Sequence, residues 1–250
     1  MKYAMRLVRI KEVNMLEERP DFKKTAQRAN EILLCASSIT TFPFSIESVI
    51  EEMSDIDLMP FSEIEGAGLR ARQIIGSDDA AIVELDGQHI IFFNEKSPPF
   101  RQKFSKGHEF SHYYCKHDIA LITTMRETGD ARFEALYSKY EVEANFFTAQ
   151  LFMCEEILIE LARRGKKIDE EFLKKAFGVS HEAAKRRMET LRRFYNWNET
   201  RRTRDNDSSL GDCIIRKFAA FIDSIAPLKY SYTYDFEREY EMELERQSWQ

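Results

Sequence analysis

Apolar residues recur with a helical period along most of the chain and with a strand-like period in one clear place. Residues 20–36 and 45–53 each bring their apolar side chains onto one helix face. Residues 80–94 instead contain two short apolar runs separated by Asp86-Gly87-Gln88, which is typical of a β-hairpin. The pattern therefore predicts a mixed fold with many helices and a small sheet that contains the hairpin.

The pattern beyond residue 94 is mostly helical. Helices are expected over 97–115, 133–164 (broken near Cys154), 169–195 (as two helices) and 214–225, a loop over 118–133, a linker over 197–209 and a strand near 230–234. The first of these helices opens with Ser97-Pro98-Pro99, and proline suits a first helical turn because its missing N–H has no partner there.

Composition excludes several classes of protein. The chain is 43% hydrophobic, which is enough for a core and argues against disorder. No apolar run approaches the ~18 residues of a membrane span, and the N-terminus lacks the apolar region of a signal peptide. The four cysteines are scattered without a CxxC pair, which suits reduced thiols. We therefore expect a soluble, cytoplasmic protein without membrane contact.

The net charge of −6 conceals an uneven distribution of charge. Residues 163–204 hold 14 Lys or Arg against 6 Asp or Glu, a local balance of +8. Residues 235–250 hold 6 acids against 2 bases, a local balance of −4. A basic segment is therefore followed by an acidic tail.

Residues 106–112 read KGHEFSH, an HExxH motif within a predicted helix. Positions i and i+4 share a helix face, so His108 and His112 can bind one metal ion. Glu109 is rotated by about 100° from His108 and can accept a proton from a water molecule in the site. The histidines share a stripe with Phe104, on an apolar face where unpaired imidazoles are costly. The alternative is a pair of core histidines hydrogen-bonded to carbonyls.

A metal site of this kind needs a third protein ligand, and two residues compete for that position. Asp118 follows the motif by six residues, but that arrangement normally needs a glycine where this chain has Cys115. Glu141 lies on the later helix with Asn145 one turn beyond it, which is the gluzincin pattern. We favour Glu141 as the ligand and expect Asn145 to hold a ligand or its histidine in place without itself binding the metal. Glu143 is rotated by about 200° from Glu141 and is expected to point elsewhere.

These two helices resemble the motif helices of the ImmA/IrrE family of metallo-endopeptidases. The first family helix reads approximately rFtlaHElgH, and residues 101–112 of this chain read RQKFSKGHEFSH. The second reads approximately ExxANxFAaxLLmP, and residues 141–153 read EVEANFFTAQLFM. The resemblance covers about residues 20–195. The chain departs from the pattern at Gly107 and Cys154, among other positions, without losing a ligand or the general base.

The resemblance implies an α+β fold of the zincin-like metalloprotease type, with a small sheet and the two motif helices beneath a cleft. It implies one Zn²⁺ per chain, or another divalent metal, bound by His108, His112 and Glu141, with Glu109 as the general base. It also implies a protein substrate, namely a transcriptional repressor whose cleavage switches on a mobile-element or stress programme. Candidates for stabilising the oxyanion are Tyr113, Tyr137 and Tyr140.

Three regions are expected along the chain: a metallopeptidase domain over 1–160, a helix-turn-helix-like segment over 161–196, and a linker with a C-terminal extension of unknown role over 197–250. The DNA-contact candidates on the second helix of the middle segment are Lys185, Arg186 and Arg187. A basic solvated face explains these charges equally well. The alternative function is a regulator that binds DNA or a repressor without cutting it.

Overall fold

A computed structural model describes residues 19–66, 76–194 and 209–228 of the chain. The helices are α1 (Phe22–Cys35), α2 (Ile46–Glu51), α3 (Phe61–Gly66), α4 (Pro99–Tyr114), α5 (Ile119–Thr128), α6 (Glu134–Phe152), α7 (Glu155–Arg163), α8 (Glu170–Phe177), α9 (His181–Phe194), α10 (Ser209–Lys217) and α11 (Ala219–Ile225), with a 3-10 turn at Ala131–Phe133. The strands are β1 (Ile56–Pro60), β2 (Ala80–Leu85) and β3 (Gln88–Phe93). The fold is mixed α+β, mostly helical with a small three-stranded sheet.

The sheet has the strand order β1–β3–β2, with β3 in the centre. β2 and β3 form the expected antiparallel hairpin, whose turn residues Asp86 and Gly87 have positive φ angles of 52° and 85°. Two positive φ angles are the mark of a type I′ turn, which matches the twist of the flanking strands. β1 was not expected from the pattern, and it pairs with β3 in parallel.

The HExxH helix lies at the centre of the molecule. α4 packs against β2 and β3 on one side and against α6 on the other, and α1 packs along α6. At Gly107 a Cβ atom would lie 2.8 Å from the ring of Phe152 and 3.2 Å from Thr148. The glycine therefore allows α4 to approach α6 closely at the turn that carries the motif.

One cluster of buried apolar side chains runs through most of the described helices. It joins Phe110 of α4 and Phe147 of α6 to Phe177 of α8, Leu191 of α9 and Ile214 of α10. The helices over 170–194 and 209–225 thus share the core of the motif helices. None of the described helices combines the length and the hydropathy of a membrane span.

Every expected helix is present, and two helices, α3 and α5, were not expected. The long helix is broken at Met153 and Cys154, as expected, and the last one is divided in two at Phe218. The segment 118–133 was expected to be a loop, but most of it forms α5 and a 3-10 turn. Apart from Ser209, where α10 begins, the expected linker and the strand at 230–234 lie outside the described residues.

Candidate metal centre

The centre is assembled from two helices that cross within the core. α4 begins at Pro99, where proline costs no hydrogen bond, and carries His108, Glu109 and His112 in its last two turns. α6 packs across it and presents Glu141 to the two histidines. Because His108 and His112 are one turn apart, their rings project together toward the facing helix.

The three expected ligands converge on one point. The Nε2 atoms of His108 and His112 lie 3.1 Å apart. Glu141 Oε2 lies 3.2 Å from Nε2 of His108, and Oε1 lies 3.5 Å from Nε2 of His112. Zinc–ligand bonds of about 2.0–2.1 Å in a tetrahedron separate neighbouring ligand atoms by about 3.3 Å. The observed separations of 3.1–3.5 Å lie close to that value, and one atom from each residue can be taken so that all three lie within 4.8 Å of one another.

The surroundings of these atoms also fit a metal better than a pair of core histidines. Among the described residues, the buried Oε1 of Glu141 has no hydrogen-bond partner. The two imidazoles face each other and a carboxylate, rather than backbone carbonyls. A buried carboxylate oxygen without a hydrogen bond is costly, and a bound cation would remove that cost.

The protonation of the three groups follows from burial and from their mutual contacts. Burial lowers the pKa of His112 to about 4, and the neighbouring His108 contributes in the same direction. Burial also opposes protonation of His108, but the carboxylates of Glu141 and Glu109 outweigh it and raise its pKa. Burial opposes ionisation of Glu141, yet its contacts with both imidazoles hold its pKa well below the usual range. The centre therefore offers an ionised carboxylate and, at His112, a neutral imidazole.

Glu109 lies beside the three ligands and is bound by a residue that the sequence analysis missed. Its Oε2 accepts a hydrogen bond of 2.9 Å from the backbone N–H of Ile82 on β2. Arg126 of α5 donates to both carboxylate oxygens, at 3.0 Å to Oε1 and 3.2 Å to Oε2. The same Nη2 atom of Arg126 lies 3.9 Å from Oε1 of Glu141. One buried cation therefore bridges the expected base and the expected third ligand.

Two further residues expected near the centre take other roles. Asn145 is exposed, and its amide donates 2.8 Å to the backbone carbonyl of Glu141, so its side chain does not support a ligand as expected. Asp118, the rival third ligand, instead caps α5 by accepting from Leu121 N. Sequence reasoning assigned no role to His117 and none to Glu143, but the structure brings both behind His112.

The three candidate tyrosines lie in different surroundings. The hydroxyl of Tyr113 donates 2.5 Å to Asp55, and the ring of Tyr140 stacks on His117. Tyr137 is half-buried beside Arg126 and Glu141. Burial raises the pKa of Tyr137, and the charge of Glu141 adds to this, so its hydroxyl stays protonated at neutral pH. Of the three, Tyr137 is the one that remains a candidate for the oxyanion.

The three expected DNA-contact residues of α9 differ in their exposure to solvent. Lys185 and Arg186 are exposed, and Arg186 is paired with Glu182. Arg187 is 1% exposed and donates to the Met153 carbonyl and the side chain of Gln150. The expectation that Arg187 contacts a phosphate is therefore wrong for this structure, because its guanidinium is bonded within the core.

Comparisons with known proteins place the centre within a family region. Residues 55–189 match the family model Peptidase_M78, described as an IrrE N-terminal-like domain. The match spans more than half of the chain and includes all three residues of the cluster. A search of curated proteins finds no match.

Proposed function

The chain belongs to the Peptidase_M78 (IrrE N-terminal-like) family, and from this membership and the geometry of the centre we propose that it is a zinc-dependent endopeptidase. The observation that carries the proposal is the convergence of His108, His112 and Glu141, whose nearest side-chain nitrogen and oxygen atoms lie 3.1–3.5 Å apart. The nearby carboxylate of Glu109 adds the base that peptide hydrolysis requires. Structural zinc sites usually have four protein ligands, so three ligands beside a base favour a catalytic site.

The proposed roles follow from what each side chain contacts. His108, His112 and Glu141 would hold the metal ion, which when bound supplies Lewis acidity to a peptide carbonyl and to a water molecule. Glu109 accepts a proton from that water at a carboxylate oxygen and passes it to the leaving amine. Arg126 donates to both carboxylate oxygens of Glu109 and so fixes the direction of the carboxylate. Oε1 of Glu109 accepts one hydrogen bond, from Arg126, so its second lone pair is available to receive the proton.

The proposed substrate is a specific transcriptional repressor. The identity of the substrate is inferred from the resemblance of the motif helices to the ImmA/IrrE metallo-endopeptidases, whose substrates are typically repressors of mobile-element or stress programmes. The competing function is a regulator that sequesters a repressor, or binds DNA through exposed residues such as Lys185 and Arg186, without cutting.

The Glu109→Gln variant tests the enzymatic proposal. Gln keeps the size of the side chain and one acceptor for Arg126 but removes the basicity, so hydrolysis should fall by about 10²–10⁴-fold. The metal content should stay at the wild-type level, because Glu109 is not among the three proposed ligands. The chain is co-expressed with a candidate repressor, the length of the repressor is followed on gels, and the metal in the purified chain is measured in parallel.

Two controls separate loss of the base from other defects. Glu127→Gln changes an exposed carboxylate on α5 and should leave cleavage intact. His108→Ala should abolish cleavage together with metal binding, which is a different kind of defect. If the Glu109→Gln protein still relieves repression as well as the wild type, proteolysis is not the mechanism, and sequestration of the repressor replaces it.

A further inference from the structure

A second histidine lies directly behind His112, on the side away from the proposed metal. Nδ1 of His112 lies 2.9 Å from Nδ1 of His117, and Nε2 of His117 lies 3.1 Å from Oε2 of Glu143. Oε1 of Glu143 accepts 2.8 Å from the backbone N–H of Asp21. Four groups thus form one continuous series of hydrogen bonds, which is buried from His112 to Glu143 and partly buried at Asp21.

The end of α4 has the backbone geometry that delivers His117 to this position. Lys116 adopts a left-handed conformation with φ 57°. The N–H of His117 donates 3.0 Å to the carbonyl of His112, and the N–H of Lys116 donates 3.0 Å to that of Tyr113. This is the Schellman pattern, which reverses the chain at a helix end. The ring of Tyr140 then stacks on His117 at 4.4 Å, with 12° between the two planes.

When Nε2 of His112 faces a metal, only one arrangement of protons gives every donor in this series of hydrogen bonds an acceptor. That nitrogen must then carry a lone pair, so the proton of the neutral ring sits on Nδ1 and is donated to His117. His117 accepts at Nδ1, so its own proton sits on Nε2 and is donated to Glu143. Both oxygens of Glu143 are then acceptors, one from His117 and one from Asp21. Every donor has an acceptor, without any group in an unfavourable state.

The far end of the chain of hydrogen bonds belongs to helix α1. Asp21 is the N-cap residue of α1, which begins more than thirty residues before the family match does. Arg28 of the same helix donates to the carbonyl of Cys115, the C-cap residue of α4. α1 therefore holds the HExxH helix at its C-terminal end and also supports Glu143.

We propose that His117 and Glu143 are positioning residues that hold His112 as an Nε2 ligand, with helix α1 as their anchor. The proposal rests on the metal site put forward above and deepens it. A hydrogen bond from the second nitrogen of a ligating imidazole fixes its tautomer and orientation, and its loss typically weakens metal binding 10–100-fold. Neither residue contacts the metal, so both act through His112.

The affinity of the full-length protein for Zn²⁺, measured by competition with a chromophoric chelator, tests this role. His117→Phe keeps a ring to stack on Tyr140 but removes both hydrogen bonds, so Zn²⁺ should bind 10–100-fold more weakly. Glu143→Gln keeps the size of the side chain and should weaken binding by several-fold. Glu134→Gln, an exposed change on the same helix, should leave the affinity unchanged. Unfolding of the metal-free proteins shows whether each variant is folded, and Glu143→Gln carries the test if His117→Phe is not.

A second readout reports the tautomers directly. In the zinc-loaded wild type, a ¹H–¹⁵N correlation spectrum of the imidazoles should place the proton of His112 on Nδ1 and that of His117 on Nε2. A proton on Nδ1 of His117 would contradict the proposed positioning role of His117 and Glu143. Equal Zn²⁺ affinity of wild type and both variants would also overturn it and would leave the metal site standing. A wild-type protein that binds no zinc would overturn the metal site itself, and the positioning role of His117 and Glu143 with it.

Discussion

Arg126 and Glu109 form an ion pair that is almost entirely removed from solvent. The side chain of Arg126 is 11% exposed and that of Glu109 is 4% exposed. Burial would lower the pKa of Arg126, but the charge of Glu109 outweighs it and raises that pKa above its ordinary value. Loss of either partner would leave the other as a buried charge without its counter-ion. Breaking a buried pair from one side costs about 3–5 kcal/mol, whereas replacing both partners by apolar groups is often neutral.

A double-mutant cycle tests the pair. Arg126→Met and Glu109→Met should each lower the free energy of unfolding by about 3 kcal/mol, and the double variant should lose far less than the sum. Urea unfolding of the four metal-free proteins measures the cycle without a contribution from metal binding. A coupling energy below about 0.5 kcal/mol would mean that the two side chains act independently in solution.

Sequence reasoning identified the proposed ligands because each is set either by local helix geometry or by a recognisable sequence motif. His108 and His112 share a face through the i, i+4 rule, and Glu141 was placed by its pattern on the later helix. His117 was not predicted to contact His112, because the contact depends on Lys116 adopting a left-handed conformation that residues other than glycine rarely take. Arg126 was missed because its segment was not expected to be a helix.

Helix α5 is the element whose absence from the sequence analysis mattered most. Asp118 caps its first turn, and Gly129 ends it with φ 61°, so signals for both ends are present in the sequence. Its buried residues are Ile119, Leu121, Ile122 and Met125, and the three residues that follow Met125 to the end of the helix are polar. The short apolar run and the polar end hide the helical period. The pairing of Arg126 with Glu109 then depends on packing against β2, which no local pattern reports.

Helix α9 is fixed to the core through Arg187, not through its exposed basic residues. The guanidinium of Arg187 bonds to the carbonyl of Met153 and to Gln150, at the break between α6 and α7. Nη2 also lies 3.8 Å from a carboxylate oxygen of Glu155. The break in the long helix leaves the carbonyl of Met153 without a hydrogen bond inside the helix, and Arg187 donates one to it. The basic pattern of the sequence thus conceals a structural residue among surface charges.

Neighbouring arginines on α9 provide a matched pair of variants. Arg187→Met should destabilise the fold by about 3 kcal/mol, because Met153 and Gln150 lose a buried donor. Arg186→Met removes an exposed arginine paired with Glu182, and should leave the urea midpoint unchanged. Urea unfolding followed by circular dichroism compares the two proteins. Equal midpoints would show that Arg187 does not anchor the helix.

At the scale of the whole molecule, the sequence predicts the class of fold better than its topology. The hairpin over 80–94 and most helices follow from periodicity and turn residues. β1 does not, because one of its five residues is buried, it ends in Pro60, and its parallel pairing joins segments far apart in the chain. The family match begins at residue 55 and so includes β1 but excludes α1. The contacts of α1 with α4 and Glu143 could be found only in three dimensions.

The metal content of the purified chain tests the central claim most directly. The protein is stripped with a chelator, reloaded with Zn²⁺, dialysed, and analysed by inductively coupled plasma mass spectrometry. Wild type should retain one zinc ion per chain, and Glu141→Gln should retain much less, because an anionic ligand is replaced by a neutral amide. Glu134→Gln should match the wild type. A wild-type chain without bound metal, or a loss of metal in Asp118→Asn but not in Glu141→Gln, would contradict the account.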